Sequence, residues 1–230
     1  MIHPILSDLL HLIYPEGCVC CERELSVNDE TICSFCSSEI AMTNFDQFQE
    51  PSPMDKLFWG RVEVNRTYAH LFFEKQSGVQ NILFNLKYKH QKPLGKHFGR
   101  AIGKKIKPWL SDKPKSALVP VPLHHRKKFI RGYNQSKLLA RGISEETEVP
   151  IIGDLIKRSR FTETQTKKSR FERWDNLQNA FVVNRKVPEF DHVIIVDDVI
   201  TTGSTIENIV LAIKDVHPHL SFSVVTLAIA

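Results

Sequence analysis

The chain has 230 residues, of which 42% are hydrophobic and 25% are charged, and its formal net charge is +5. This length can hold one full domain and a small additional module, and the composition is that of a soluble globular protein. No apolar run approaches the ~20 residues of a transmembrane helix, and the N-terminus lacks the basic start and uninterrupted apolar core of a signal peptide. These features exclude a membrane-spanning protein and favour the cytoplasm.

The charges are unevenly distributed along the chain. Residues 1–74 carry four basic and twelve acidic side chains, whereas residues 75–143 carry seventeen basic side chains and one acid, Asp112. Such a one-sided segment predicts a surface that attracts a polyphosphate ligand or a nucleic-acid backbone. The alternative is a lysine-rich surface that keeps the protein soluble.

The first predicted element is an amphipathic helix over residues 2–13. Its apolar residues repeat at helical spacing, and Pro15 ends it. We expect its apolar face to pack on the rest of the protein. Membrane association is the weaker alternative, because the helix lacks basic residues.

Five cysteines follow the helix. Cys18 and Cys21 form one C-x-x-C pair, and Cys33 and Cys36 form a second pair eleven residues later. Four thiolates in two such pairs can surround one ion tetrahedrally, which predicts a structural Zn²⁺ site. Disulfides and an iron–sulfur cluster are the alternatives. Cys20 is left without an assignment.

The predicted organisation has three parts. Residues 1–40 hold the helix and the zinc knuckle. Residues 41–65 contain Pro51-Ser52-Pro53 and no clear periodicity, which predicts a linker. Residues 66–230 form the main domain.

Strands and helices alternate in the main domain. Strands are predicted at residues 67–73, 117–121, 181–183, 193–196 and 223–230, and helices at residues 79–89, at residues 94–106 and around residues 138–139. This alternation predicts an α/β fold with a mostly parallel sheet and helices on both faces.

Two polar segments of this domain indicate phosphate chemistry. The strand at 117–121 runs into a stiff Pro-Val-Pro turn, and four cations follow it within residues 126–131. Residues 157–176 are polar and cationic, which predicts a lid that closes over a pyrophosphate. Trp174 is expected to anchor the end of this lid.

The most informative stretch is residues 192–205, HVIIVDDVITTGST. Its apolar run predicts a strand that is buried on both faces. Asp197 and Asp198 follow at the carboxyl end, where open α/β sheets place their ligands. A hydroxyl-rich turn comes next, and Ser204 with Glu207 forms a capping-box pattern, so a helix is predicted to begin near Ser204.

This arrangement predicts a site for a phosphorylated sugar. The helix N-terminus favours an anion. The neighbouring carboxylates suit vicinal hydroxyls, directly or through a metal. The alternative is an ordinary Asp-rich turn that caps a helix. The chain contains no Walker motif.

The same stretch resembles the phosphoribosyl-pyrophosphate (PRPP) loop of type I phosphoribosyltransferases, position by position. In that family the acidic pair binds the ribose hydroxyls and the loop binds the 5′-phosphate. The resemblance therefore implies that Asp197 and Asp198 hold the ribose. It implies phosphate contacts from Thr201, Thr202, Gly203, Ser204 and Thr205.

The order of motifs over nearly the whole chain resembles the ComF/GntX family. These motifs are the amphipathic helix, the paired C-x-x-C knuckle, VPVPLH…RGYNQS, T-x-x-Q followed by Arg173-x-x-Asn176, and the PRPP loop. The family comprises bacterial phosphoribosyltransferase-like proteins, and its ComF branch is linked to natural competence and DNA uptake. In this family the knuckle binds zinc, and the region after the VPVP turn corresponds to the pyrophosphate loop.

The resemblance also implies residue roles around the pyrophosphate. We carry pyrophosphate contacts over to Arg126, Lys127 and Arg131, and add Arg173 from the predicted lid. Lys168 departs from the family pattern, which often has an apolar residue there, and this departure bears on how the lid packs when closed.

These observations predict a Mg²⁺-dependent enzyme that transfers ribose 5-phosphate from PRPP to an unidentified acceptor and releases pyrophosphate. Its transition state should resemble an oxocarbenium ion, with Mg²⁺ and the basic residues stabilising the leaving group. No residue stands out as the general base. The alternative is a protein without catalysis that senses PRPP or a nucleotide, or that contacts single-stranded DNA or a competence helicase.

Overall fold

A computed structural model describes residues 17–26, 29–89, 91–113, 115–158, 181–185 and 189–230. The predicted N-terminal helix lies outside the described residues. So does most of the predicted lid, including Lys168, Arg173 and Trp174.

A four-stranded parallel sheet forms the centre of the fold. The strands along the chain are β1 (Arg66–Phe72), β2 (Ser116–Pro120), β3 (Ile156–Arg158), β4 (Phe181–Val183), β5 (His192–Ile200) and β6 (Ser221–Ile229). The central sheet has the order β1-β6-β5-β2, and all its neighbours are parallel. Strands β3 and β4 form a separate antiparallel ribbon at the two ends of the predicted lid. The predicted, mostly parallel sheet is confirmed.

Helices connect and cover these strands. Within the described ranges they are α1 (Ser34–Glu39), α2 (Pro53–Lys56), α3 (Gly78–Tyr88), α4 (Lys92–Ile106), α5 (His125–Arg131), α6 (Gln135–Thr147) and α7 (Ser204–Val216). None of them is both long and apolar enough to cross a membrane.

The centre of β5 is covered on both faces. Residues 193–196 alternate between the two faces of the sheet, yet all four are almost completely inaccessible to solvent. Since each face of the strand is packed, its sequence is a continuous apolar run instead of an alternating one. Complete burial ends with Val196, since Asp197 and Asp198 are half-buried.

Helices α4 and α6 cross with their backbones in contact. A Cβ atom at Gly142 would overlap the carbonyl oxygen of Lys96 and lie 2.8 Å from the amide nitrogen of Arg100. Gly99 faces Gly142 from the other helix. Only a residue without a side chain fits at this crossing, which fixes the position of α6 and of the residues at its N-terminus.

Gly142→Ala is therefore expected to lower the free energy of unfolding by about 1–3 kcal/mol, because the helices must separate to admit the methyl group. Urea denaturation followed by circular dichroism measures the change. Gly153→Ala is a matched control, since a Cβ atom there would meet only the Lys137 ammonium, at 3.9 Å. Equal stability of the two variants would contradict the close crossing.

The segment 41–65 packs on the sheet. Met42 forms an antiparallel bridge with Leu71 on the outer edge of β1, and Met54 and Phe58 are buried in the same hydrophobic core as the strands. Ser52 and Asp55 form a capping box at α2. These residues thus contribute to the core instead of forming a free connection. The lack of periodicity that predicts a linker reflects short turns, each of which buries one or two side chains.

Candidate functional site

The acidic pair lies in the carboxyl-terminal half of β5, which continues to Ile200, and is beside the N-terminus of α6. One carboxylate oxygen of Asp197 accepts hydrogen bonds from the Ser136 hydroxyl, at 3.0 Å, and from the amide of Asp198, at 2.8 Å. Asp198 forms an ion pair with Lys87, in which Oδ2 and Nζ are 3.2 Å apart. The two neighbouring acids therefore have different partners.

The surroundings of Asp197 disfavour its ionised form. Burial, followed by repulsion from Asp198, raises the pKa of Asp197 to about 7. Hydrogen bonds from the Asp198 amide and from Ser136, and the charge of Lys87, oppose this shift without cancelling it. Asp197 is thus a carboxyl group that a bound cation or a set of hydroxyl donors would convert to the carboxylate near neutral pH.

The predicted phosphate loop connects β5 to α7. Gly203 has φ = +73° and precedes the first helical residue, Ser204, as predicted. The hydroxyls of Thr202 and Ser204 are 3.0 Å apart, and both side chains are exposed, as are those of Thr201 and Thr205. Hydroxyls and a helix N-terminus thus face solvent next to the acidic pair, which is an arrangement that suits an anion.

The predicted capping box at this helix is wrong. The N-cap residue is Gly203, which has no side chain to accept a hydrogen bond. The carboxylate of Glu207 instead forms an ion pair with Arg61, a residue distant in sequence. Glu207 therefore stabilises the loop through a tertiary contact.

Arg61 and Phe58 support the phosphate loop from behind. One guanidinium nitrogen of Arg61 donates to the carbonyl of Thr202 at 2.6 Å, and another approaches the Ser204 hydroxyl at 3.3 Å. A Cβ atom at Gly203 would lie 3.2 Å from the ring of Phe58. Sequence reasoning missed both residues, because they lie in the segment without periodicity.

Arg61→Gln is expected to weaken binding of inorganic phosphate or PRPP by about tenfold, since charge-assisted hydrogen bonds of this kind contribute about 1.5–3 kcal/mol and here hold the loop in shape. Isothermal titration calorimetry measures the change. Arg100→Gln is the control, because Arg100 pairs with Glu145 on the surface away from the loop. Unchanged affinity in Arg61→Gln would show that the loop keeps its shape without this brace.

The predicted pyrophosphate residues lie on α5. Arg126 and Lys127 are exposed. Arg131 donates to the side chain of Gln135 at 3.0 Å and to the Tyr88 hydroxyl at 3.4 Å, with its guanidinium 5.3 Å from the centre of the Tyr88 ring. Arg173 lies outside the described residues.

The last turn of α3 connects these groups. Lys87 contacts Asp198, and its neighbour Tyr88 contacts Arg131, so one helix end bridges the acidic pair and the basic helix. Both residues belong with the candidate site. The sequence signal for them is the polar Lys87-Tyr88-Lys89 cluster where the apolar periodicity of this helix stops.

The four cysteines of the two C-x-x-C pairs converge as predicted. The sulfur atoms of Cys18, Cys21, Cys33 and Cys36 all lie within 4.8 Å of one another. The Cys21 and Cys33 sulfurs are 3.8 Å apart. Thiolates placed tetrahedrally at the usual Zn–S distance of about 2.3 Å are also about 3.8 Å apart. The donor set therefore fits a zinc ion.

Backbone amides donate to two sulfur atoms of this cluster. The amide of Cys33 donates to the Cys18 sulfur at 3.3 Å, and the amide of Cys36 donates to the Cys33 sulfur at 3.4 Å. Burial raises the pKa of Cys18, but amide donors from Cys33, Cys21 and Cys20 outweigh it and lower the pKa to about 6. Burial raises the pKa of Cys20 to about 12, which suits an inert thiol.

The cysteine cluster also contacts the main domain. The carbonyl of Cys20 accepts a hydrogen bond from the Asn81 side chain of α3 at 2.8 Å, and the Cys20 side chain lies against Gly78. Cys20 therefore packs between the cluster and α3.

Known proteins share parts of this chain. Residues 134–229 match the family described as the phosphoribosyl transferase domain. The chain is 43% identical over 95 residues to Competence protein F of Haemophilus influenzae, a match that covers 40% of this chain and 42% of that protein. It is 41% identical over 92 residues to the DNA utilization protein YhgH of Escherichia coli K12, covering 40% of each chain. The matched length is thus about two fifths of these relatives.

Proposed function

We propose that the acidic pair and phosphate loop of this chain bind PRPP together with Mg²⁺, as in a ComF-type protein, because residues 134–229 match the phosphoribosyl transferase domain and the relatives are named for competence and DNA utilization. The main support is the end of β5, where two carboxylates precede a hydroxyl-rich helix N-terminus by a few residues. The carboxylates suit the vicinal hydroxyls of ribose and a hard cation. The loop suits the 5′-phosphate.

Each group of residues then has a role toward PRPP. Asp197 and Asp198 hold the 2- and 3-hydroxyls of the ribose. Arg126, Lys127 and Arg131 contact the pyrophosphate, and Arg173 joins them from the lid. Mg²⁺ supplies positive charge that offsets the negative charge of the pyrophosphate. Lys87, already beside Asp198, adds a further cation on that side.

The proposed reaction transfers ribose 5-phosphate to an acceptor. The bond between ribose C1 and the pyrophosphate oxygen breaks, a bond from C1 to the acceptor nucleophile forms, and the nucleophile loses its proton. Positive charge develops on the ribose ring in the transition state, and the neighbouring carboxylates stabilise it.

A pyrophosphate-release assay tests this reaction. PRPP and Mg²⁺ are offered with a panel of nucleobases and amines, and release is expected only with the right acceptor. The Asp197→Asn, Asp198→Asn double variant should release none. If PRPP binds and no acceptor triggers release, a protein that senses PRPP without catalysis is favoured.

The affinity for PRPP with Mg²⁺ is expected to increase about eightfold in total from pH 6 to pH 7.5, because the pKa of Asp197 is about 7 and binding requires its carboxylate. Below this pKa, binding must release a proton, so acid opposes it. Calorimetry at several pH values measures the profile. Because the phosphates of PRPP also titrate, the Asp198→Asn variant serves as the comparison. In this variant the midpoint of the rise in affinity with pH should move to lower pH, since the repulsion from Asp198 is gone. An unchanged midpoint would contradict the role of Asp197.

We further propose that the four converging cysteines hold one structural Zn²⁺. All four positions around such an ion would be protein ligands, so the site has no open position for catalysis. Its role is to fold the small module against α3.

Single-stranded DNA binding is the second candidate function, and one surface favours it. On α5, Phe129 and Ile130 are 91% and 70% exposed, and they lie between the cations Lys127 and Arg131. Exposed aromatic and apolar side chains between cations suit stacking on bases beside a phosphate backbone. The names of the relatives concern competence and DNA utilization.

A salt titration tests this candidate. Fluorescence anisotropy with a labelled oligothymidine should show affinity that falls steeply with salt. Phe129→Ala should weaken binding by about tenfold, in line with a stacking contribution of about 1–3 kcal/mol per base. Phe35→Ala on α1 also removes an exposed aromatic side chain and serves as the control. Binding that is undetectable or indifferent to salt would remove this candidate.

A further inference from the structure

A cleft separate from the candidate site lies beyond the edge strand β2. It has a volume of about 480 Å³ and is enclosed by the end of β2, by α6 and by β3. Its floor is apolar, with Pro120, Leu138 and Ile156 buried and Leu123 half-buried. A floor of this kind, in a cleft of this volume, is typical of sites for small organic ligands.

The rim of the cleft is strongly basic. Lys137, Arg141, Lys157 and Arg158 line it, and none of the described residues that line it has a carboxylate. All four side chains are exposed. In the described part of the chain, Lys137, Arg141 and Lys157 form no ion pair. Four like charges around one concave surface repel one another unless an anion lies between them.

Other cations of the same helix pair have partners. Lys96 and Arg100 of α4 both bind Glu145 of α6. Acidic residues are thus present on α6 where they neutralise a neighbouring helix, but the two charged residues of α6 that line the cleft, Lys137 and Arg141, are both cations. The positive charge of the cleft is therefore a local feature of this surface.

The cleft is separate from the acidic pair. On α6, Ser136 points to Asp197, whereas Lys137 and Arg141, one turn apart, line the cleft. Consecutive helical residues project about 100° apart, so the two sites open on different sides of α6. Asn134, at the N-cap of this helix, also lines the cleft and accepts a hydrogen bond from the Ser136 amide at 3.0 Å.

We propose that this cleft binds a nucleoside di- or triphosphate, as a second site that is distinct from the PRPP site. The apolar floor suits the base and ribose, and the basic rim suits two or three linked phosphates. An inorganic polyphosphate would use only the rim. This inference does not require that the protein transfers phosphoribosyl groups.

Calorimetry with ATP tests the proposal. The titration is made without divalent cations, so that the acidic pair contributes little. Lys137→Gln with Arg141→Gln is expected to weaken ATP binding at least tenfold. Lys104→Gln with Lys115→Gln, which removes the same charge from exposed positions elsewhere, should leave it unchanged. Asp197→Asn with Asp198→Asn should also leave it unchanged, whereas that variant loses PRPP.

Two further ligands, tripolyphosphate and an oligothymidine, test which kind of molecule the cleft binds. Tripolyphosphate should bind at least tenfold more weakly than ATP, because it cannot use the apolar floor. Equal affinities for both, or equal ATP affinity in the cleft and control variants, would overturn the proposal. Binding of an oligothymidine that depends on Lys137 and Arg141, without ATP binding, would also overturn it and would assign the cleft to nucleic acid.

Discussion

Changing Asp197 and Asp198 together to asparagine is expected to abolish the rise in melting temperature that PRPP with Mg²⁺ gives the wild-type protein. Asparagine keeps the size of the side chain but removes both negative charges, which are the groups that suit a hard cation and the developing charge on ribose. We expect the affinity to fall at least a hundredfold, or about 2.7 kcal/mol. Differential scanning fluorimetry over a range of PRPP concentrations measures the shift.

Asp191→Asn is the matched control for this change. Asp191 precedes β5 and its side chain is exposed, so its replacement should leave the shift intact. A double variant that still responds to PRPP as the wild type does would refute the assignment of the acidic pair.

Without PRPP, the single change Asp197→Asn should increase the stability of the folded protein. The pKa of Asp197 in the folded chain, about 7, is above its ordinary value of 3.8. The folded state therefore binds more protons between these two values, and its stability falls as the pH rises through them. Asparagine has no charge to desolvate, so at pH 8 the variant should unfold at higher denaturant concentration than the wild type. Higher stability with lost binding is the trade-off expected of a functional site.

Loss of zinc is expected to have the largest effect on folding. Structural zinc contributes about 10–16 kcal/mol of apparent binding energy in zinc-finger peptides, and such modules unfold without it. Elemental analysis should find one zinc per chain in the wild type. The Cys18→Ser variant should contain no zinc and should melt at a lower temperature. Loss of the metal should also destabilise α3, because Asn81 and Gly78 of this helix contact Cys20.

Cys20→Ala provides the control for this prediction. Cys20 lies beside the cluster but is not one of the four converging sulfurs, so the variant should retain one zinc per chain. Wild-type protein that is folded and free of metal, or equal zinc content in Cys18→Ser and Cys20→Ala, would contradict the structural zinc site.

Local patterns explain why much of the fold and of the site could be predicted. The apolar run of β5 predicts burial on both faces, and the two acids follow directly after this run. The paired cysteines have a spacing that is typical of a metal site. Each of these signals lies within a few adjacent residues. The start of α7 was predictable for the same reason, since the turn before it is rich in hydroxyls and glycine.

The remaining site residues depend on contacts between distant parts of the chain. Arg61 pairs with Glu207, and Lys87 pairs with Asp198, although the partners are far apart in the sequence, and no local periodicity marks either pair. The capping-box prediction failed because the N-cap residue is Gly203 instead of Ser204, and the carboxylate of Glu207 pairs with the distant Arg61. The basic cleft beside α6 likewise combines residues from three elements.

The packing of segment 41–65 also bears on how the chain divides into units that fold alone. The segment shared with the phosphoribosyl transferase family begins at residue 134, yet β1 and β2, two of the four strands of the sheet, precede it. A fragment that starts at residue 134 would leave one edge of β5 and one edge of β6 unpaired. A fragment that starts at β1 would still lack Phe58 and Arg61, and would expose an apolar patch behind Gly203. The smallest fragment expected to fold with an intact phosphate loop therefore begins before α2, well outside the boundary that homology alone suggests.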